Sequence, residues 1–148
     1  MIRFRAARRE DVAAAIALLS DDRLGATRET PDDLTPYLAA FDEMAREPDN
    51  TLYVGEADGA VVACYQLTFI TGVTLGASRR AQIEGVRVAV ACRGRGYGQA
   101  LLTDAETRAK DAGCTLLQLT MNTSRTASAR FYKAAGFQAS HTGFKKPL

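Results

Sequence analysis

Three glycines alternate with larger residues in Arg93-Gly94-Arg95-Gly96-Tyr97-Gly98, just where one kind of segment gives way to another. Val86-Arg87-Val88-Ala89-Val90 precedes them and reads as a strand, while the residues after Gly98 read as a helix. Glycine lets the backbone approach a ligand closely and adopt positive φ. A helix that starts there presents unpaired N–H groups and the positive end of its dipole, which suits a pyrophosphate. Arg93 and Arg95 add charge that can pair with phosphate. The spacing is GxGxG, so the dinucleotide fingerprint GxGxxG is not met, and the preceding region reads as antiparallel hairpins. The Gly-Lys-Ser/Thr ending of a nucleotide-triphosphate loop is missing as well. A plain glycine-rich surface turn is the bland alternative. An RNA-binding RG-rich segment fits poorly, because the stretch is short and an amphipathic helix follows at once.

The elements that would position this turn follow from periodicity. Ile2 and Phe4 alternate with Arg3 and Arg5 as in a short strand. From Glu10 to Ser20, Val12, Ile16 and Leu19 fall at helical spacing, and Pro31 is expected to open a second helix carrying Leu34, Leu38, Phe41 and Met44. Thr51 to Ala57 and Ala60 to Leu75 are strand-like and flank Asp58-Gly59, a strong hairpin signal. Ala81 to Ala91 is a further strand. Residues 97 to 112 form a helix with Leu101, Ala105 and Ala109 on one face, closed by Gly113. Leu116, Leu117 and Leu119 mark another strand, Arg125 to Ala135 a helix stopped by Gly136, and Phe137 onward a terminal strand or strand pair. The order βααβββαβαβ predicts an α/β fold around a mainly antiparallel sheet.

Composition bounds the function. The 148 residues suit a single domain, 1–148, with one core. A hydrophobic fraction of 47% and a charged fraction of 24% are those of a soluble globular protein. A net charge of +2 gives no global field for nucleic acid or an anionic membrane. No apolar run could span a bilayer, and the N-terminus lacks the apolar region of a secretory signal. Cys64, Cys92 and Cys114 are scattered singly, which speaks against a disulfide framework or structural zinc and for a reduced, cytoplasmic protein. No His/Cys/carboxylate cluster has metal-ligand spacing. His141 is the only histidine, and its chemistry would suit proton transfer, although a lone histidine near a C-terminus is usually solvated.

Arg93 to Gly98 resembles the acyl-CoA pyrophosphate loop of the GNAT N-acetyltransferase superfamily, written Q/R-x-x-G-x-G/A. Phe131-Tyr132 with Gly136-Phe137 resembles that family's second signature, [FL]-Y-x-x-x-G-F. The resemblance covers essentially the whole chain. It implies the acyl-CoA N-acyltransferase fold: a mainly antiparallel mixed sheet flanked by helices, with splayed central strands that admit the pantetheine arm. It implies that main-chain groups of Val86, Val88 and Val90 line that gap, and that Arg93, Gly94, Arg95, Gly96, Tyr97 and Gly98 cradle the pyrophosphate of acetyl-CoA. Asn122, Arg125, Phe131 and Tyr132 match an N-x-x-R…F-Y-x-x-x-G-F subgroup. Arg125 stands where many relatives carry the Asn that contacts CoA.

By the same resemblance Tyr132 occupies the place of the general acid near the CoA sulfur. Amine attack expels a thiolate of cysteine-like pKa, about 8.5, and a phenol of pKa about 10 can supply its proton. Glu84, on the strand leading to the loop, is the candidate base for an acceptor ammonium of pKa about 10.4, acting through water. A salt bridge to Arg79, Arg80 or Arg87 is its plain alternative. Unless a bulge intervenes, alternation places Glu84 on one face with Val86, Val88 and Val90. Gln82, Arg87 and His141 are candidates for the acceptor pocket, with the loop between the first two helices and residues 71–80 lining it. Asp21, Asp22, Asp32 and Asp33 could attract a cationic amine. The expected function is transfer of acetyl from acetyl-CoA to a primary amine of a small molecule or peptide, with no metal, no nucleic acid and no membrane. The alternative is a catalytically weak acyl-CoA-binding regulatory module on the same fold. Small relatives of this kind imply a homodimer through sheet edges.

Overall fold

Asp58 and Gly59 both take positive φ, 53° and 78°, the mirror-image turn whose twist matches that of paired strands. They join β2 (Asn50–Ala57) to β3 (Ala60–Ile70). In the computed structural model, which describes residues 1–148, this hairpin is the middle of a five-stranded sheet ordered β1-β2-β3-β4-β5. β1 is Arg3–Ala6, β4 is Arg80–Val88 and β5 is Leu116–Gln118. All neighbours are antiparallel except β4 and β5, which run parallel.

Alternation along β3 divides the core into two layers. Ala63, Tyr65 and Leu67 point to one face with Ala81 and Ile83 of β4, and meet Leu101, Leu102, Ala105 and Ala109 of α4 (Tyr97–Asp111). Cys64 points to the other face with Val54, against Ala15 and Leu18 of α1 (Val12–Ser20). The α4 stripe is the one its sequence spacing predicts. Leu101 and Leu102 are fully buried, and each such side chain contributes about 1.5–3 kcal/mol. No helix is long and apolar enough to cross a membrane.

Four boundaries differ from the sequence reading, each for a local reason. α2 spans Thr35–Met44 rather than opening at Pro31: Pro36 occupies its first turn, and the Asp33 carboxylate accepts the Thr35 N–H at 3.0 Å. β3 stops at Ile70, and a four-residue helical turn, α3 (Thr74–Ala77), follows with left-handed φ of 55° at Leu75 and 68° at Gly76. β4 stops at Val88; Val90 opens a 3-10 turn to Cys92 and is 50% exposed, so it is not a strand residue. Beyond α5 (Thr126–Ala134), residues 138–148 form no strand. Phe137 folds back on the helix, its N–H donating to the Tyr132 carbonyl at 3.0 Å, and the chain after it is too polar to bury a sheet face.

Candidate active site

The β4–β5 pair is short. Pairing runs only from Arg80↔Leu116 to Gln82↔Gln118, while β4 continues to Val88. From Ile83 onward the β4 edge that faces away from β3 therefore has no strand partner. The Ala89 N–H is turned the other way, donating to the Val62 carbonyl at 2.8 Å. By the alternation of an antiparallel ladder, the neighbouring Val88 presents its N–H and C=O to the open edge. An extended chain bearing amides could add there as a strand does.

The loop that leaves this edge is built to hold an anion. Gly94 and Gly96 take φ of +77° and +76°, and no atom lies within 4 Å of where a Cβ would sit on either. Gly96 caps α4 in the left-handed region, with no side chain accepting the first N–H groups. The first N–H to return to the loop is that of Ala100, on the Gly96 carbonyl at 3.0 Å, so the N–H groups from Gly94 to Gln99 find no protein acceptor. That of Arg93 is different: it closes the 3-10 turn on Val90 at 3.2 Å. Arg93 and Arg95 are exposed on the rim. A pyrophosphate fits this cradle, by backbone donors, helix dipole and mobile positive charge together.

Gly98 has another task. Its φ is ordinary, but a Cβ there would lie 3.1 Å from Cζ of Phe131. The third glycine thus lets α4 approach α5, and it links the loop to the Phe-Tyr pair. Tyr132 packs against Phe131 and Phe137, with ring centroids 5.2 and 5.7 Å away. Its hydroxyl makes no hydrogen bond within the protein. Burial pushes the Tyr132 phenol up in pKa, opposed by the charges of Arg87 and Arg125, so the side chain stays protonated at neutral pH.

A bulge sets what lies on the opposite face of the sheet. Cys64 pairs with Arg87 and Gln66 with Glu84, so three steps along β4 match two along β3. Gly85, at φ +58°, supplies the extra residue. The expectation that Glu84 shares a face with Val86, Val88 and Val90 is therefore overturned. Val86 and Val88 pack on the α4 core, whereas Arg87 pairs with Cys64 of the α1 face and Glu84 with Gln66. Glu84 is exposed and has no salt bridge, for Arg79 pairs with Asp49 and Arg87 with Asp22. The same face carries a polar row of which the sequence had singled out only Gln82. Gln66 and Thr68 both donate to Oδ1 of Asn50, at 2.8 and 3.2 Å, and Gln118 donates to Gln82 at 2.8 Å. The signal was the alternation of Cys64, Gln66 and Thr68 against Ala63, Tyr65 and Leu67.

Asp22 turns inward rather than facing solvent as an acidic loop residue. Arg125 donates to both its oxygens at 2.8 and 3.2 Å, the Gly25 N–H donates at 2.6 Å, and Arg87 Nη2 stands at 3.5 Å. Burial alone would raise the carboxyl's pKa, but the bonds from Arg125 and Gly25 and the charges of both arginines outweigh it, giving about 2. With the folded pKa depressed, the stabilisation is present above the ordinary aspartate value of about 3.9 and is lost as pH falls through about 2. Asp22→Asn is expected to cost about 1–2 kcal/mol at pH 7, reduced by partial exposure, and to flatten the acid limb of stability. Unfolding midpoints from pH 7 to pH 2 check this; parallel curves for the two proteins would contradict it.

The remaining sequence candidates lie outside this constellation or are engaged locally. Asn122 Oδ1 accepts the Ser124 N–H and hydroxyl at 3.0 and 2.6 Å, an Asx-type turn before α5. His141 is exposed, with Nδ1 2.8 Å from the Ser140 hydroxyl. Val73 and Leu75 of the 71–80 segment are 93% and 68% exposed.

The family model described as acetyltransferase (GNAT) family matches residues 13–137. An aminoalkylphosphonate N-acetyltransferase from Salmonella typhimurium is 37% identical over 67 residues, which is 45% of this chain and 44% of that protein, so the chain spans less than half of that relative. A transcriptional regulator from Bacillus halodurans C-125 superposes with a TM-score of 0.95 at 38% identity over 100% of both chains. A putative acetyltransferase from Agrobacterium tumefaciens str. C58 superposes with a TM-score of 0.86 at 28% identity over 99% of both.

Proposed function

The chain belongs to the acetyltransferase (GNAT) family, and from that premise we propose that it moves acetyl from acetyl-CoA to a primary amine by direct attack. The observation that carries this reading is the continuity of an unpaired β4 edge with a run of free N–H groups at the head of α4. The edge suits the pantetheine amides and the loop suits the pyrophosphate, so the thioester would lie where β4 and β5 part. Tyr132 carries a free hydroxyl on the neighbouring helix, and Glu84 stands on the sheet face open to an acceptor. Cys64, Cys92 and Cys114 are all unbridged, in keeping with action in the cytoplasm.

Glu84, through water, takes a proton from the acceptor ammonium. The amine lone pair then forms the C–N bond to the thioester carbon, the C–S bond breaks, and Tyr132 gives its proton to the departing sulfur. The amide nitrogen's surplus proton returns to the phenolate, so one proton per turnover is left on Glu84 and passes to solvent. The second reading, an acyl-CoA-binding regulatory module, is favoured by the likeness to a protein described as a transcriptional regulator. Thiol release with a panel of amines separates the two: turnover is expected, and acetyl-CoA binding without turnover on any amine would leave only the module.

The base has its own test. Glu84→Gln keeps the shape but cannot accept the proton, so the amine's own ionisation should govern the rate. Its kcat/KM is expected to keep rising past the wild-type acid limb and to regain much of its loss near pH 10. Glu84 makes no salt bridge, so the unfolding midpoint should hardly move. An unchanged pH profile would remove Glu84 from the reaction.

A further inference from the structure

Two guanidiniums, Arg87 and Arg125, share one carboxylate, and they do not share it equally. Arg125 holds both oxygens of Asp22 in the fork geometry, within 3.2 Å, while Arg87 reaches Asp22 only at 3.5 Å. A charge-assisted hydrogen bond is about 2.7–2.9 Å, so Arg87 is attracted without being bonded. Its Nη1 donates to the Val86 carbonyl at 2.8 Å, and its Nε is shut off from solvent with no acceptor. No other carboxylate pairs with it. Asp22 is held by Arg125 and Gly25, whose three donors sit closer to it than Arg87 does, so Arg87 is the weaker partner of the shared carboxylate. The cluster therefore carries one positive charge in excess, about three-quarters buried.

That charge sits on the sheet face that carries the proposed base, Glu84. Glu84 and Arg87 lie on the same sheet face, opposite Gln66 and Cys64, two residue steps apart on β3. At about 3.3 Å per step their backbones are roughly 7 Å apart. A cationic polyamine would meet Arg87 head on, with Asp22 already paired to two guanidiniums. A small amine with an oxyanion at its other end would meet a proton acceptor at one end and an unsatisfied guanidinium at the other. We propose that Arg87, held in place by Asp22 and Arg125, is the specificity residue for the acceptor, and that the acceptor is a small primary amine bearing a carboxylate or phosphonate-type oxyanion.

The inference rests on the acetyltransferase reading but can fail separately from it. Thiol release is measured with matched pairs: 3-aminopropanoate against 3-aminopropanamide, and 2-aminoethylphosphonate against 2-aminoethanol. The wild type is expected to favour the anionic member of at least one pair by about tenfold or more in kcat/KM, and which pair shows it tells carboxylate from phosphonate. Arg87→Gln should erase that preference by raising KM for the anionic amine and not for the neutral one; loss of the charge beside Tyr132 lowers kcat for both members alike and cancels in the ratio. Arg87→Lys, which keeps the charge without the fork, should restore part of it. The second readout is thermal stabilisation of the CoA complex by 3-acetamidopropanoate or 2-acetamidoethylphosphonate relative to the neutral amides, and its loss in Arg87→Gln. Equal or better turnover of the neutral amines overturns the inference and leaves the acetyltransferase reading standing. No turnover, with anion-dependent stabilisation lost in Arg87→Gln, does the reverse. No turnover and no such stabilisation overturns both, and an unfolded Arg87→Gln passes the decision to Arg87→Lys and the wild-type preference.

Discussion

Gly96→Asp is expected to abolish acetyl-CoA binding in a protein that still folds. Gly96 sits at the head of α4 with φ +76° and open space where a Cβ would go. A side chain meets no clash there, and the cost is the left-handed backbone, about 1–2 kcal/mol for most residues. Aspartate is among the residues that tolerate this region best. Its carboxylate would also stand over the free N–H groups of Gly98 and Gln99, as an N-cap does, and recover part of the strain. Those donors are the ones the pyrophosphate requires, so the cap that rescues the helix occupies the site with the wrong charge. Losing two charge-assisted bonds at about 1.5–3 kcal/mol each weakens binding by at least about 10²-fold. Gly96→Ala carries the same backbone strain without the charge, and should weaken binding by less than about tenfold. Calorimetry on both variants, with unfolding midpoints, separates charge from strain. Unchanged affinity in folded Gly96→Asp would move the pyrophosphate away from this loop.

How far the sequence anticipates this site depends on the range of the interaction involved. The turn at Asp58-Gly59, the α4 stripe of Leu101, Ala105 and Ala109, and the glycine alternation are local. Each is written in residues within a turn or two of one another, and each appears in the structure. The bulge at Gly85 is local as well. An isolated glycine in a β-branched run signals one, but its consequence, which side chains share a face with Glu84, emerges only from pairing with β3. The third glycine illustrates the same limit: Gly98 reads as part of an anion loop, yet its space is taken up by Phe131 from another helix. The Asp22–Arg125 pair joins side chains 103 residues apart, and nothing near either residue distinguishes it from a solvated loop charge. The C-terminal segment fails in the opposite way. A strand there required a partner edge and a buried face, and neither is encoded within residues 138–148.

Tyr132→Phe is expected to lower kcat by about 10²-fold, the size of a lost general acid, while acetyl-CoA affinity stays near the wild type. The substitution removes one oxygen from a ring held by Phe131 and Phe137. That hydroxyl has no partner in the protein, so no internal hydrogen bond is lost and the fold should be unaffected. The electrostatics around the phenol decide what the pH profile must look like. Burial raises its pKa, and the nearby Arg87 and Arg125 moderate the rise. A phenol raised above its ordinary value of about 10 stays protonated through the physiological range, so Tyr132 contributes no alkaline limb below about pH 10. The same two arginines favour the phenolate at the moment it forms, when the proton leaves for sulfur. Removing the hydroxyl should therefore scale the rate down at every pH without shifting the limb that belongs to the acceptor amine. A pure packing role predicts the opposite split, with activity retained. Single-turnover rates of thiol release from pH 6 to pH 10, with the acetyl-CoA dissociation constant measured in parallel, decide it. Full activity in the variant would make water the proton donor and reduce Tyr132 to a wall of the thioester site.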